Sequence, residues 1–182
     1  MNSRTHPPVT ADELLRMARR DCRLELVRGE VEQRPFAGGL EGRLGAALAL
    51  SLLEHVKRYD QGTVYAAGTG FHLASGPDTV LAPSVAFVRR RRADETPEGF
   101  LSGPPDMAVE IVSFADDEGA MQEKAREWLS VATRRVIVLD PQRRTVTVYH
   151  SRDSIHVLGE DDVLDGGDVV PGWTMPVRSL FA

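Results

Sequence analysis

The chain has 182 residues, 42% of them apolar and 27% charged, with a net charge of −5 and one cysteine. Those figures suit one soluble domain over residues 1–182 with a real core. They exclude an internal disulfide and a multi-cysteine zinc site, and they argue against a surface that grips nucleic acid everywhere, because such binding is mostly phosphate neutralisation by Lys and Arg. No apolar stretch is long enough to cross a bilayer, and the first residues lack the pattern of a secretory leader, so a cytoplasmic protein without membrane contact is expected.

In chain order, Thr10-Ala-Asp-Glu13 has the form of a capping box opening a short helix. Leu24, Leu26 and Val31 flank Arg28-Gly29, a hairpin with its turn at the glycine. Residues 41–58 read as a helix whose Leu44, Leu48, Leu52 and Val56 repeat on one buried face. Strands are predicted over 64–73 and 80–88, separated by the turn Ser75-Gly-Pro-Asp78. Arg89-Arg-Arg-Arg92 reads as a solvated turn, or alternatively as a phosphate-contacting loop at the rim of a site. A polar loop over 93–105 precedes a strand at 107–112. A second long helix is predicted over 116–132, then strands at 136–139, 145–150 and 155–158 and an irregular tail. Strands on either side of two long helices give an α/β fold, a mixed sheet covered by helices.

The chemistry lies on the strand 107–112 and the helix after it. Alternation puts Met107, Val109 and Ile111 on one face and Ala108, Glu110 and Val112 on the other. Glu110 is thus a lone acid in an apolar strand, and a buried carboxylate needs a cation, a donor or a raised pKa. Lys124 falls on the apolar stripe formed by Ala120, Met121, Ala125, Trp128, Leu129 and Ala132, and Glu110 is its natural partner. That pair has a purely stabilising reading as well as a catalytic one. On the earlier strand, the same parity groups Ala82, Ser84 and Ala86, small residues that leave room for an ion or substrate. A strand acid, a second strand acid and a nearby lysine are the minimal kit for metal-dependent phosphodiester cleavage. Ser84 stands where the first acid belongs.

Other chemistries find little support. The five histidines are scattered, Ser84 and Ser113 lack a Gly-x-Ser-x-Gly setting, and no phosphate-binding glycine loop precedes a lysine. Cys22 reads as a small buried apolar residue.

The segments Leu24-Glu-Leu-Val-Arg-Gly-Glu30, Ala82-Pro-Ser-Val-Ala-Phe-Val88, Pro104-Pro-Asp-Met-Ala-Val-Glu-Ile-Val-Ser113, Glu123-Lys124, Val136-Ile-Val-Leu-Asp-Pro141 and Asp165-Gly-Gly-Asp-Val-Val-Pro-Gly172 together resemble the Uma-type restriction endonuclease family of the PD-(D/E)XK nuclease superfamily. The resemblance implies a restriction-endonuclease-like core and Mg²⁺-assisted hydrolysis of DNA, with Mn²⁺ as a substitute ion. It implies Glu110 as metal ligand and second-strand acid, with the Ile111 carbonyl as an additional ligand. Val112 occupies the usual lysine position, and Lys124 fits the place to which this family moves that lysine. Glu41, opening the first long helix, is a further acid near the site, or simply a residue favourable at a helix N-terminus.

Two departures weaken the picture. The family has Pro-Asp where this chain has Pro83-Ser84, and a hydroxyl is a poor ligand for a hard cation. The family also tends to a histidine about where Glu41 stands. The expectations are therefore a Mg²⁺-dependent DNA endonuclease impaired at Ser84, or an inactive relative that acts by binding DNA or a protein. A structural module without DNA affinity is a third. Nucleases that cut both strands often pair symmetrically, so a homodimer is also expected.

Overall fold

The computed structural model describes residues 7–17, 23–93, 97–113, 118–151 and 153–182. Cys22 and the predicted first turn of the second helix, at Asp116, lie outside these residues.

Helix α1 (Ala11–Arg16) starts at Thr10, whose side chain accepts the Glu13 N–H while the Glu13 carboxylate accepts the Thr10 N–H. This reciprocal cap satisfies two orphan donors of the first turn. Strands β1 (Arg23–Val27) and β2 (Glu30–Arg34) form the expected hairpin, with Val27 opposite Glu30. Arg28 and Gly29 both take positive φ, 51° and 81°, as the favoured two-residue hairpin turn demands.

Helix α2 (Gly39–Arg58) buries Leu44, Leu48, Leu52 and Val56 completely. Each such side chain contributes about 1.5–3 kcal/mol, so this one stripe fastens the helix to the sheet. Beneath it lie Met107, Val109 and Ile111, while Ala108 packs on the opposite side with Met121, Ala125 and Trp128. The alternation predicted for residues 107–112 thus holds, and the strand, β8 (Met107–Ile111), is buried along its whole length.

The two long strands predicted before it are each broken in two, and the pieces go to different sheets. Residues 64–73 become β3 (Gly62–Ala66) and β4 (Phe71–Ala74), and residues 80–88 become β5 (Thr79–Leu81) and β6 (Val85–Arg89). Gly68, at φ 84°, turns the chain at the first break. Pro83, which lacks the N–H a ladder needs, marks the second. Strands β1, β2, β4 and β5 join β7 (Leu101–Ser102) in a five-stranded sheet, ordered β2-β1-β5-β4-β7. Strands β3, β6 and β8 join β9 (Arg135–Asp140), β10 (Thr145–Tyr149) and β11 (Ile155–Leu158) in a six-stranded one, ordered β11-β10-β9-β8-β6-β3. The β8–β9 pair is parallel and its neighbours are antiparallel, so this is the mixed sheet the pattern implies.

A consequence is that Ala82, Ser84 and Ala86 do not share one strand face. Ala86 belongs to the core beneath α4, whereas Ala82 and Ser84 lie on the crossing between the sheets. Short helix α3 (Arg90–Ala93) follows β6 directly. Helix α4 (Glu118–Ser130) is shorter than predicted at its C-terminal end. The Thr133 N–H bonds the Trp128 carbonyl and the Ala132 N–H bonds that of Leu129, with Ala132 at φ 71°. This left-handed closing turn stops the helix before the apolar pattern ends and leaves Ala132 exposed.

The tail is more ordered than its turn-rich composition suggests. Strands β12 (Val163–Asp165) and β13 (Thr174–Pro176) pair, and α5 (Val177–Phe181) buries Val177, Leu180 and Phe181 in the α2-side core. Among the described residues no helix is long and apolar enough to cross a membrane.

Candidate active site

The crossing between the sheets defines the site. The Ala82 N–H donates to Glu25 Oε1 on β1 at 3.0 Å, and the Ser84 N–H donates to the Val109 carbonyl on β8 at 2.9 Å. One peptide on each side of Pro83 is therefore pinned to a different sheet, which fixes Ser84 beside the end of β8 that carries Glu110.

Glu110, Lys124 and Glu25 form a buried row, with side-chain exposures of 5%, 9% and 2%. Lys124 Nζ lies 3.2 Å from Glu110 Oε1 and 3.3 Å from Glu25 Oε1. The Trp128 indole N–H, one helical turn after Lys124, donates to Glu110 Oε1 at 2.7 Å. Arg34 Nε bonds Glu25 Oε2 at 2.8 Å from the neighbouring strand. Lys124 and Arg34 thus place a cation beside each buried carboxylate, with Glu32 pairing with Arg34 at the surface, which is how a buried group of this kind is tolerated.

The three groups respond differently to that environment. Burial dominates Glu110 and pushes its carboxyl above the usual carboxylate range, against the pull of Lys124. Burial would also raise Glu25, but Lys124, the Ala82 N–H and Arg34 outweigh it and hold that carboxyl low. Burial alone would lower Lys124, yet Glu110 and Glu25 raise it, so it stays an ammonium.

These residues border a cavity of about 300 Å³ closed by α2, the β1–β2 hairpin and the crossing. Glu41, Ser84, Glu110, Ile111 and Lys124, the five candidates picked from sequence, all line it. Glu41 also takes the helix-end role, since its carboxylate accepts the Gly38 N–H in the first turn of α2. The arginine run is elsewhere. Ser84 precedes β6 and Arg89 ends it, so the cluster sits at the far end of that strand. There Arg89 donates to the carbonyls of Asp168 and Val169, Arg90 pairs with Asp60, and Arg92 donates to the carbonyls of Ser102 and Pro104. These arginines tie loops together at a distance from the cavity.

Sequence reasoning missed Glu25. An acid between Leu24 and Leu26 reads as the solvent face of a hairpin, and its ion-pair partner Lys124 is 99 residues away. One compositional signal was available: the chain has only two lysines, Lys57 and Lys124. A cation placed as Lys on an apolar stripe, in a chain that otherwise uses Arg, marks a special position.

As a cation site the donor set is thin. It offers the Glu110 carboxylate, the neutral Ser84 hydroxyl, the Ile111 carbonyl and the Glu41 carboxylate that caps α2, while Glu25 already accepts from three donors. Among the described residues no three His, Cys, Asp or Glu side chains group as a metal ion would require. The residues fit a weakly held divalent ion rather than a tight one.

The architecture has a solved counterpart. A structure described as a putative nuclease belonging to DUF820, from Anabaena variabilis ATCC 29413, matches with a TM-score of 0.81 over 96% of this chain and 98% of its own, at 18% identity. That likeness is one of fold. The family model Uma2, described as "Putative restriction endonuclease", matches residues 11–178, and the chain belongs to that family. No curated protein matches it.

Proposed function

We propose that this chain hydrolyses DNA phosphodiesters at the Glu110–Lys124 cavity, with divalent-cation affinity reduced by Ser84. The observation that carries this reading is convergence: Ser84, Glu110, Ile111 and Lys124 come from three separate segments and border one cavity. Membership of a restriction endonuclease family supports the reaction class. Glu110 and the Ile111 carbonyl would hold Mg²⁺ or Mn²⁺, with Ser84 Oγ as a neutral third donor. When bound, such an ion supplies charge stabilisation at the phosphate and a more acidic water. Lys124, fixed between two carboxylates, presents a constant positive charge to the phosphate oxygens as their charge grows. Trp128 and Lys124 both bond Glu110 through Oε1, which leaves Oε2 for other partners.

A second reading has its own observation. Lys124 is already neutralised by Glu25 and Glu110, and among the described residues the other acid lining the cavity, Glu41, is engaged with the Gly38 N–H, so the site suits DNA binding without cleavage. Cutting of a single-stranded DNA circle beside nicking of a supercoiled plasmid separates the two. The native chain, Glu110→Gln and Ser84→Asp are assayed with Mg²⁺, with Mn²⁺ and with EDTA. Slow metal-dependent cleavage that disappears in Glu110→Gln and accelerates in Ser84→Asp is expected. Absence of cleavage of either DNA by both the native chain and a folded Ser84→Asp variant would overturn the nuclease reading and leave the binding one.

A further inference from the structure

The mouth of the same cavity carries two features that the proposed hydrolysis does not use. Arg23, the first residue of β1, lines the cavity, and its Nε is buried with no hydrogen-bond partner. Its cross-strand neighbour Arg34 is committed to Glu25 and Glu32 at 2.8 Å each. Of this arginine pair, Arg23 is therefore the one that borders the cavity with a donor left without an acceptor. A buried guanidinium N–H without an acceptor costs free energy, and a ligand oxygen would remove that cost.

Phe36 is the second feature. It lies two residues past β2, lines the cavity, and is 62% exposed. Tyr59 is almost as exposed, but of the two rings Phe36 is the one that lines the cavity. The wall opposite is the N-terminal half of α2, faced by Gly42, Gly45 and Ala46. A Cβ added at Gly42 would meet nothing within 4 Å, so this wall stands open. The cavity thus brings together an exposed aromatic ring, the small residues of α2 and the cationic groups of Arg23 and Lys124.

We infer that this part of the cavity is a nucleotide subsite, in which Phe36 stacks one unpaired base and the Arg23 guanidinium binds an adjacent phosphate, so that single-stranded DNA is preferred over intact duplex. The inference rests on the reading of the cavity as a phosphodiester site and specifies its substrate. A ring needs an uncovered base face, which stacked neighbours deny it in a duplex. The cavity volume of about 300 Å³ equals that of roughly ten liquid waters, enough for one nucleotide and far too little for a double helix. Guanidinium suits phosphate because its N–H groups match the oxygen geometry.

The test is binding in EDTA, where cleavage plays no part. Fluorescence anisotropy compares a labelled thymidine oligonucleotide of about ten residues with a duplex of equal length at low salt. The native chain is expected to bind the single strand more tightly. Phe36→Ala should weaken that binding by about tenfold or more, and Phe36→Trp should restore it. Arg23→Gln should weaken it and lower the slope of log K against log salt by about one. Phe36 is exposed, so its loss leaves the fold intact.

Equal or tighter duplex binding, no binding of either DNA, or full affinity in Phe36→Ala would each overturn the subsite. Loss of binding in Phe36→Ala beside a native chain that cuts neither the single-stranded circle nor the plasmid would keep the subsite and reject hydrolysis. Duplex nicking indifferent to Phe36 would keep hydrolysis and reject the subsite.

Discussion

Glu25 and Glu110 approach one ammonium group from different sheets, at 3.3 and 3.2 Å, and both are almost wholly buried. Distance to Lys124 and exposure hardly distinguish them. Their donors do. Glu25, on the five-stranded sheet, receives a main-chain N–H, an arginine and the lysine, and is held ionised. Glu110, on the six-stranded sheet, receives an indole N–H and the lysine, both on one oxygen, and burial keeps its charge costly. The same residue type thus serves as a brace between sheets in one place and as a group with unspent acceptor capacity in the other. Donor count, more than burial, separates the bracing acid from the one with acceptor capacity to spare.

The harshest way to break this comparison is to remove the shared cation. Lys124→Ala leaves two buried carboxylates facing each other, and breaking a buried pair costs about 3–5 kcal/mol. Urea denaturation at neutral pH should show a loss of that order. A loss below about 1 kcal/mol would mean that water already screens the row.

A finer test uses the opposite signs of the two shifts. Glu25 is depressed in the folded state, so its stabilisation is present above the ordinary carboxylate pKa and fades as pH falls through the folded value. Glu110 is raised, so its folded form keeps a proton the unfolded chain has released, and stability is lost as pH rises from the ordinary value through the folded one. Glu25→Gln should therefore cost about 2–4 kcal/mol at neutral pH, with the deficit shrinking in acid. Glu110→Gln should cost little or raise stability at neutral pH, and its advantage should grow with pH across the window above the ordinary carboxylate value. Thermal melts of both variants across pH give the two slopes, and parallel slopes would refute the division of roles.

Much of this was legible in the sequence, and the failures share a cause. The capping box at Thr10, the hairpin at Arg28-Gly29, the α2 stripe and the β8 alternation are set by neighbours within a turn or a pleat, and all appear as read. The breaks at Gly68 and Pro83 were misread because each half-strand keeps an acceptable β pattern, and only the sheets decide that the halves part company. Ser84 was placed correctly as a member of the cavity but for an imperfect reason, since it lies on a crossing and not on a strand face. Glu25 escaped because its meaning depends on Lys124, and periodicity carries no information over such separations. The tail escaped because Pro-Gly and Gly-Gly punctuation describes its turns and not the burial of Val177, Leu180 and Phe181.

The smallest effect expected is also the sharpest probe of Glu110. Trp128→Phe keeps the buried ring that meets Phe71 edge-on, with centroids 6.4 Å apart, and deletes only the indole N–H. The lost bond goes to a carboxylate, so the penalty should be about 1.5–3 kcal/mol if Glu110 is ionised and nearer 1 kcal/mol if it is protonated. Indole N–H is a donor only, so a protonated Glu110 can still accept from it through its carbonyl oxygen, at reduced strength. The penalty should therefore rise with pH across the window in which Glu110 loses its proton, and the variant should push that window further up. Chemical denaturation of the native chain and Trp128→Phe at several pH values reads this directly. A penalty independent of pH would mean that the indole holds the fold alone and leaves the charge on Glu110 unaffected.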